Sequence, residues 1–513
     1  MELKVFKDTI AAYGGRWETR LELPVETEIL VPDYLPAVFK IVKCLIEPVL
    51  MQNHTAAAKW QGEGYLRCTV YYQSDEAGTQ LYRIEQKFPF EKSVDLPDGR
   101  YEAGPAGVWG ELEYCNCRAI SEHRIDLRGA YALGVTVQAV EELELLTSLA
   151  DCGIEQRTRL LAGKVCAAAE EKTFTAESTI ALPGADEVIL DISGVFAPDS
   201  CTVQTGQVNC QGMLRVQACY RPAGSEEITG RQKEIPIRQT LDLPGAAEGD
   251  ECIFWGEVLG CTLAADDSGE PALTVTWKLH AELWRAVQYT AVADAYSTVC
   301  QTETQGAICR LLEDACSLRQ TVLAEAGDDL PDPDLEVKGC FVTLGALLPM
   351  PGEQEGTVCF GGKGTAHVLC ADIRGELTCY DKAFTWQLPQ SWAGTAADYC
   401  LHAHAAVGKV TSGKNGGRLR VEIEIAVDGQ LMKVNAVPVV GEVSLGEEFP
   451  DKNDGPALYL YYASDGERVF DIAKRYHARA KDLAAANHME PDPGTPVQEM
   501  TTARTCLLIP AAL

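Results

Sequence analysis

His402 and His404 stand two residues apart, the spacing at which two imidazoles leave the same face of a β-strand and could share a metal ion. Zinc needs four ligands, and no second pair of ligand residues is spaced to complete the set. The pair therefore reads as ordinary surface or core histidine. Cys115 and Cys117 repeat the spacing with thiols. No Cys-x-x-Cys pair occurs among the 20 cysteines, so packing is expected here rather than metal, with cross-linking at an oxidising surface as the second reading. Gly361-Gly362-Lys363-Gly364 is glycine-rich and basic. A phosphate cradle opens a helix, whereas this run leads into strand-like sequence and is expected to be a turn. HExxH and GxSxG motifs are absent, and no pair among the 75 acidic residues is marked out for glycoside cleavage. No catalytic residue, metal site or cofactor is expected, which leaves recognition. Lys474, Arg475, Arg479 and Lys481 concentrate positive charge in a chain of net charge −31. They form either a solvated helix face or a docking surface for an acidic partner.

The elements that would carry those basic residues are legible in the stretch from Leu458 to Leu513. A strand-like run, Leu458–Ala463, meets a turn at Ser464-Asp465-Gly466. Val469, Ile472, Ala473 and Tyr476 then fall at helical spacing, and a second helical stretch places Leu483 and Ala484 inward and ends at Asn487. A Pro/Gly-rich loop, Pro491–Pro496, leads to an apolar strand at Cys506–Ile509, stopped by Pro510. The predicted order is strand, helix, helix, strand.

The chain before this tail repeats with a period near 150 residues, a domain-sized period rather than a solenoid unit. Gly64-Tyr65-Leu66-Arg67 with Tyr72 matches Gly212-Met213-Leu214-Arg215 with Tyr220, and Gly364 opens the equivalent strand of a third copy. Polar breaks follow at Ser74–Gly78, Pro222–Ser225 and Ile373–Glu376. Next come Phe88-Pro89-Phe90, Ile235-Pro236-Ile237 and Phe384-Thr385-Trp386. Alternating runs such as Arg67–Tyr72, Leu273–Ala281 and Leu419–Ile425 read as half-buried strands of antiparallel sandwiches. One helix per copy is expected, with Val38, Ile41, Val42 and Leu45 on one face of Pro36–Leu45. Linkers are expected near 147–165, near 300–330 and at Phe449–Pro456. The fold class expected is mainly β: tandem β-sandwich-like repeats over residues 1–147, 148–300 and 301–449, then a small α+β (βααβ) domain over 457–513.

At 513 residues the chain is too long for one core. Its negative charge is spread along the sequence and opposes binding to nucleic acid or anionic membrane, both of which need clustered Lys and Arg. The start, Met1–Ile10, has no basic-then-apolar signal pattern, and no apolar run long enough to span a bilayer occurs, so a cytoplasmic protein without membrane insertion is expected. Reduced thiols inside strands, such as Cys68, Cys219, Cys370 and Cys379, fit that compartment.

The tail resembles a LysM domain through Tyr461, Gly466-Glu467, the run Phe470–Tyr476, Leu483, Asn487 and Leu508-Ile509-Pro510. The resemblance implies a ligand held between two loops, Ser464, Asp465, Gly466, Glu467 and Arg468 after the first strand, and Asn487, His488, Met489 and Glu490 after the second helix. Backbone amides and the Asn487 side chain could meet the N-acetyl and hydroxyl groups of peptidoglycan N-acetylglucosamine, or a peptide. Three departures stand out. The usual Gly-Asp-Thr/Ser is Gly466-Glu467-Arg468, and His477 replaces a small residue between the helices. These shift the expectation from glycan towards protein docking. Glu467 could also simply complement the helix dipole.

The repeats resemble the SPOCS domain, the spore coat assembly domain of endospore-forming Firmicutes. Glu28–Asp33, Asn116–Ala130 and Asp294-Ala295-Tyr296-Ser297-Thr298 carry the likeness, copy one best and copy three loosely. Three such repeats before one LysM tail is the order of spore-coat morphogenetic proteins. The resemblance implies a non-enzymatic scaffold, an elongated arm of repeats anchored by its tail at the forespore surface in the mother cell. The implied partners are the basement-layer ATPase, stage IV sporulation protein A, and other coat proteins. Two other readings stand beside it: a wall-binding protein with an unrecognised peptidoglycan hydrolase activity, and a self-assembling coat protein.

Overall fold

The computed structural model describes residues 2–56, 58–74, 80–97, 106–181, 188–222, 228–264, 271–415, 418–449, 458–491 and 495–510. Much of the expected breaks at Ser74–Gly78 and Pro222–Ser225, of the linker at Phe449–Pro456 and of the loop Pro491–Pro496 lies outside the described residues. The chain is mainly β, and the same six-strand plan occurs three times. Copy one has β1 (Lys4–Leu30), β2 (Lys40–Ala56), β3 (Lys59–Gln73), β4 (Leu81–Asp95), β5 (Ala106–Ser121) and β6 (Arg124–Ala150). Sheets β1-β6-β5 and β2-β3-β4 face each other. Copy two has β7 (Ile154–Thr179), β8 (Val188–Gln204), β9 (Gln207–Arg221), β10 (Thr229–Asp242), β11 (Glu251–Ala264) and β12 (Ala272–Ser297), ordered β7-β12-β11 and β8-β9-β10. In copy three the first strand is split into β13 (Cys300–Ser317) and β14 (Gln320–Asp329). There follow β15 (Glu336–Leu344), β16 (Leu348–Pro351), β17 (Thr357–Ala371), β18 (Leu377–Gln387), β19 (Trp392–Ala393), β20 (Tyr399–Asn415) and β21 (Arg418–Glu448).

Each sandwich fills from the inward residues of both sheets, as alternation dictates. Copy two buries Leu214, Val216, Ala218, Val275, Trp277 and Leu279, and Phe196 stacks on Trp277 with centroids 5.0 Å apart. The equivalent glycines of the three copies lie opposite large side chains in the pairing: Gly64 opposite Phe90, Gly212 opposite Ile237 and Gly364 opposite Phe384. In copy three the apolar triplet is therefore two residues out of step with the others, a shift that keeps each side chain on its own face.

The first and last strands of each copy run past the sandwich as a two-stranded ribbon. Pairing of β1 with β6 continues to Lys4↔Ala150, of β7 with β12 to Ile154↔Ser297, and of β13 with β21 to Cys300↔Glu448. The ribbons converge. Ile10 and Leu145 of copy one, Leu161 and Ala291 of copy two, and Cys309, Leu311 and Val439 of copy three share one buried cluster. Gly163 permits the approach, since a Cβ there would meet the Leu311 Cβ at 2.6 Å. The sandwiches also meet through the outer faces of their smaller sheets, around Leu45, Tyr71, Leu190, Leu369 and Leu377. Ion pairs add to the seam between copies one and three, with Lys43 2.6 Å from Asp381. The expected elongated arm is thus corrected: the copies gather around common clusters.

Two other expectations fail for related reasons. Pro36–Leu45 is not a helix, and residues from Lys40 on belong to β2. A bulge between Ile41 and Lys43 shifts the side-chain phase, while Cys44 and Ile46 enter the sandwich core and Leu45 packs against the other copies. A strand buried on both faces with a phase slip mimics helical spacing. The linkers expected near 147–165 and 300–330 are largely ribbon strands, in which polar residues alternate with buried ones such as Leu161 and Leu311.

Candidate docking site

The tail pairs β22 (Leu458–Ala463) with β23 (Thr505–Pro510) and packs α1 (Val469–Arg475) and α2 (Ala480–Ala486) on one side of that sheet. Helices of 7 residues have no independent stability in water. Burial of Val469, Phe470, Ile472, Leu483, Leu507 and Ile509 supports them. The turn before α1 needs Gly466, at φ +78°.

Of the nine residues expected to hold ligand, Ser464, Asp465, Gly466, Arg468, His488 and Glu490 are exposed. The others serve the tail itself. Glu467 accepts the Tyr461 hydroxyl at 2.7 Å and the Ser464 amide at 3.2 Å, and pairs with Arg475 at 2.8 Å. Partial burial would raise its carboxyl, but these groups hold it below the ordinary carboxylate value. The Asn487 side chain donates to the Leu483 and Leu508 carbonyls and accepts the Leu508 amide at 2.7 Å. It fastens α2 to β23. Met489 packs against the tail core.

His477 and His488 follow the two helices with φ +50° and +51°, the left-handed position that glycine or asparagine usually fills. The His477 ring lies 4.1 Å from that of Phe449, just after β21. A strained backbone position is thus coupled to a contact that seats the tail. The rest of that seat is the ribbon of copy two. Lys474 pairs with Asp294 at 2.6 Å, the Tyr296 hydroxyl donates to the Ala478 carbonyl at 2.8 Å, and Arg157 meets Glu499 at 3.4 Å. The Tyr296 ring packs edge-on against Phe470 at 5.1 Å and joins the tail core. Burial raises the Glu155 carboxyl, opposed by Arg479 and the Ala480 amide. Lys474, Arg475 and Arg479 therefore face acidic groups of their own chain. Asp294–Thr298, noted in the sequence only as part of a repeat motif, contributes this seat.

Away from the seat, the tail sheet turns an apolar face to solvent: Tyr462 is 79% exposed, Leu460 63%, Leu458 49% and Leu508 39%. Leu460 lies opposite Leu508 in the pairing. The sequence carries the signal in its alternation, since Leu458, Leu460 and Tyr462 share a strand face and Tyr461 points the other way.

The metal candidates resolve differently. His402 is buried where all three copies meet, with Nδ1 2.8 Å from Glu282 of copy two and Nε2 2.9 Å from Gln138 of copy one. Burial lowers the His404 pKa from its ordinary value. Cys115 and Cys117 join Cys44 in packing copy one. Gly361–Gly364 is not a turn but lies inside β17, where a Cβ at Gly361 would meet the Trp386 carbonyl oxygen at 2.2 Å. His367, Cys379 and Asp381 converge, but the Lys43 ammonium already lies 2.6 Å from Asp381 and opposes a second cation there.

A family model described as SipL, SPOCS domain, matches residues 187–264. The match runs from the start of β8 to the end of β11, four successive strands of copy two. No curated protein and no solved structure matches the chain. The match supports a SipL-like protein connected with sporulation.

Proposed function

We propose that the chain is a non-enzymatic scaffold of spore-coat assembly, made of three SPOCS-like sandwiches and a LysM-like tail. The observation that carries the reading is the SPOCS match over β8–β11, set in a strand plan that copies one and three repeat. The repeats gather into one platform through shared clusters, and the tail sits at the ribbon end of that platform. Its seat occupies Lys474 and the tail's own Glu467 occupies Arg475, while the sheet face around Leu460 and Tyr462 and the exposed loop residues stay open. An apolar face with a polar margin suits a protein partner, and the internal engagement of Glu467 and Asn487 disfavours tight glycan binding. The partner is the basement-layer ATPase, stage IV sporulation protein A, with other coat proteins bound by the sandwiches. The protein works in the mother-cell cytoplasm at the forespore surface. Among the described residues no helix is long and apolar enough to cross a membrane.

The test is a pull-down of that ATPase by the full chain, beside a peptidoglycan sedimentation assay. The wild type should capture the ATPase, and Leu460→Asp and Tyr462→Asp should reduce capture at least tenfold. Unchanged capture by both variants, or cosedimentation with peptidoglycan in place of capture, would move the reading to another surface or to glycan.

A further inference from the structure

One feature of copy two serves neither the seat nor the open face. Cys201 on β8 pairs in register with Cys210 on β9, and their sulfurs are 3.6 Å apart. Cys252 on β11, in the opposite sheet, completes a trio whose sulfurs all lie within 4.8 Å of one another. A disulfide would need about 2.05 Å between sulfurs, so these are separate thiols. A metal with sulfur bonds of about 2.3 Å holds its thiolates roughly 3.8–4.0 Å apart in tetrahedral or trigonal geometry, and the trio, with one pair at 3.6 Å and every pair within 4.8 Å, brackets that spacing. Cys210 is 2% exposed, and Cys201 and Cys252 pack against the same core. A single thiol is an ordinary small apolar filler. Three whose sulfurs converge within 4.8 Å from two facing sheets offer a ligand set, and among the described cysteines only this trio does so.

We propose that Cys201, Cys210 and Cys252 form a binding site for one soft, thiophilic cation, Cu(I) or Zn²⁺. Among the described residues no further His, Cys, Asp or Glu joins the trio at this spacing, so the protein supplies three sulfur ligands. Sulfur ligands select Cu(I) and Zn²⁺ over hard cations such as Mg²⁺ and Ca²⁺. Binding replaces the thiol protons, which pass to solvent, and clips the β8–β9 sheet to β11 across the sandwich.

The test uses the full chain, reduced and metal-free under anaerobic conditions, titrated separately with Zn²⁺ and with Cu(I) against a chromophoric chelator. Cys252→Ser and Cys201→Ser are compared with wild type and with Cys261→Ser, a thiol on β11 outside the trio. Circular dichroism and gel filtration check that each variant is folded. Using two trio variants on different strands, β8 and β11, guards against a folding defect in one. The expected result is one equivalent of metal lost in both trio variants and none in Cys261→Ser; the cation showing the loss identifies the occupant. Equal stoichiometry in all four proteins with both cations would overturn the proposal. So would recovery of a Cys201–Cys210 disulfide as the state of the protein isolated from cells.

Discussion

The sandwiches and the tail bury their apolar faces in opposite ways. Each sandwich has a large core of its own and adds shared clusters with its neighbours, as where Leu45, Leu190 and Leu369 meet. The tail has a small core, completes it with Tyr296 from the copy-two ribbon, and leaves Leu460 and Tyr462 in solvent. The repeats are therefore coupled to one another, whereas the tail is attached at a few points and keeps a free face. The proposed scaffold role, a rigid platform whose tail engages a partner, calls for that asymmetry.

The largest effect should come from Trp277→Ala. This fully buried side chain stacks on Phe196, and losing it should cost about 3–5 kcal/mol. If the copies are coupled, thermal unfolding stays a single transition at lower temperature. A separate early transition for copy two would break the comparison. Acid should act next. Burial would raise the Asp381 carboxyl, but His367 and Lys43 hold it down from its ordinary 3.8 to about 2. A depressed carboxylate stabilises the fold above its unfolded value, and that contribution disappears as pH falls from about 4 towards 2. Because Lys43 belongs to copy one and Asp381 to copy three, small-angle scattering should show the seam opening in that window, and Asp381→Asn should flatten the response.

Smaller changes probe the seat. Tyr296→Phe keeps the ring against Phe470 but removes the bond to the Ala478 carbonyl, a loss of about 1 kcal/mol. Hydrogen exchange should rise in α1 and α2 and stay unchanged in the sandwich strands. Equal increases in both would contradict the weak attachment of the tail. His477→Gly should show the smallest net effect. It relieves the left-handed backbone by about 1 kcal/mol and removes the Phe449 contact. The melting temperature should therefore move little while exchange at the seat increases; unchanged exchange would deny His477 a seating role.

Much of this asymmetry was readable in the sequence. Alternation in Arg67–Tyr72 and Leu273–Ala281 specifies strands because a sandwich has one wet face, and the βααβ order of the tail follows from period changes between Leu458 and Ile509. Pro36–Leu45 misled because β2 is covered on both faces and slips phase at Ile41. The converging ribbons were illegible because Ile10, Leu161 and Leu311 meet only in three dimensions. Within the candidate site, the loops showed themselves through their turn residues. Local sequence could not reveal that Asn487 would be occupied by Leu508, or that Lys474 would find Asp294, 180 residues earlier. The three thiols of copy two were hidden for the same reason, lying on separate strands with no motif spacing.

The central claim is that the tail anchors the platform to its partner. Its most direct test is the position of a fluorescently tagged chain lacking residues 457–513 in sporulating cells, with the sandwich fold checked by circular dichroism. The account predicts an intact, diffuse protein in the mother cell. A truncated chain that still encases the forespore would contradict it.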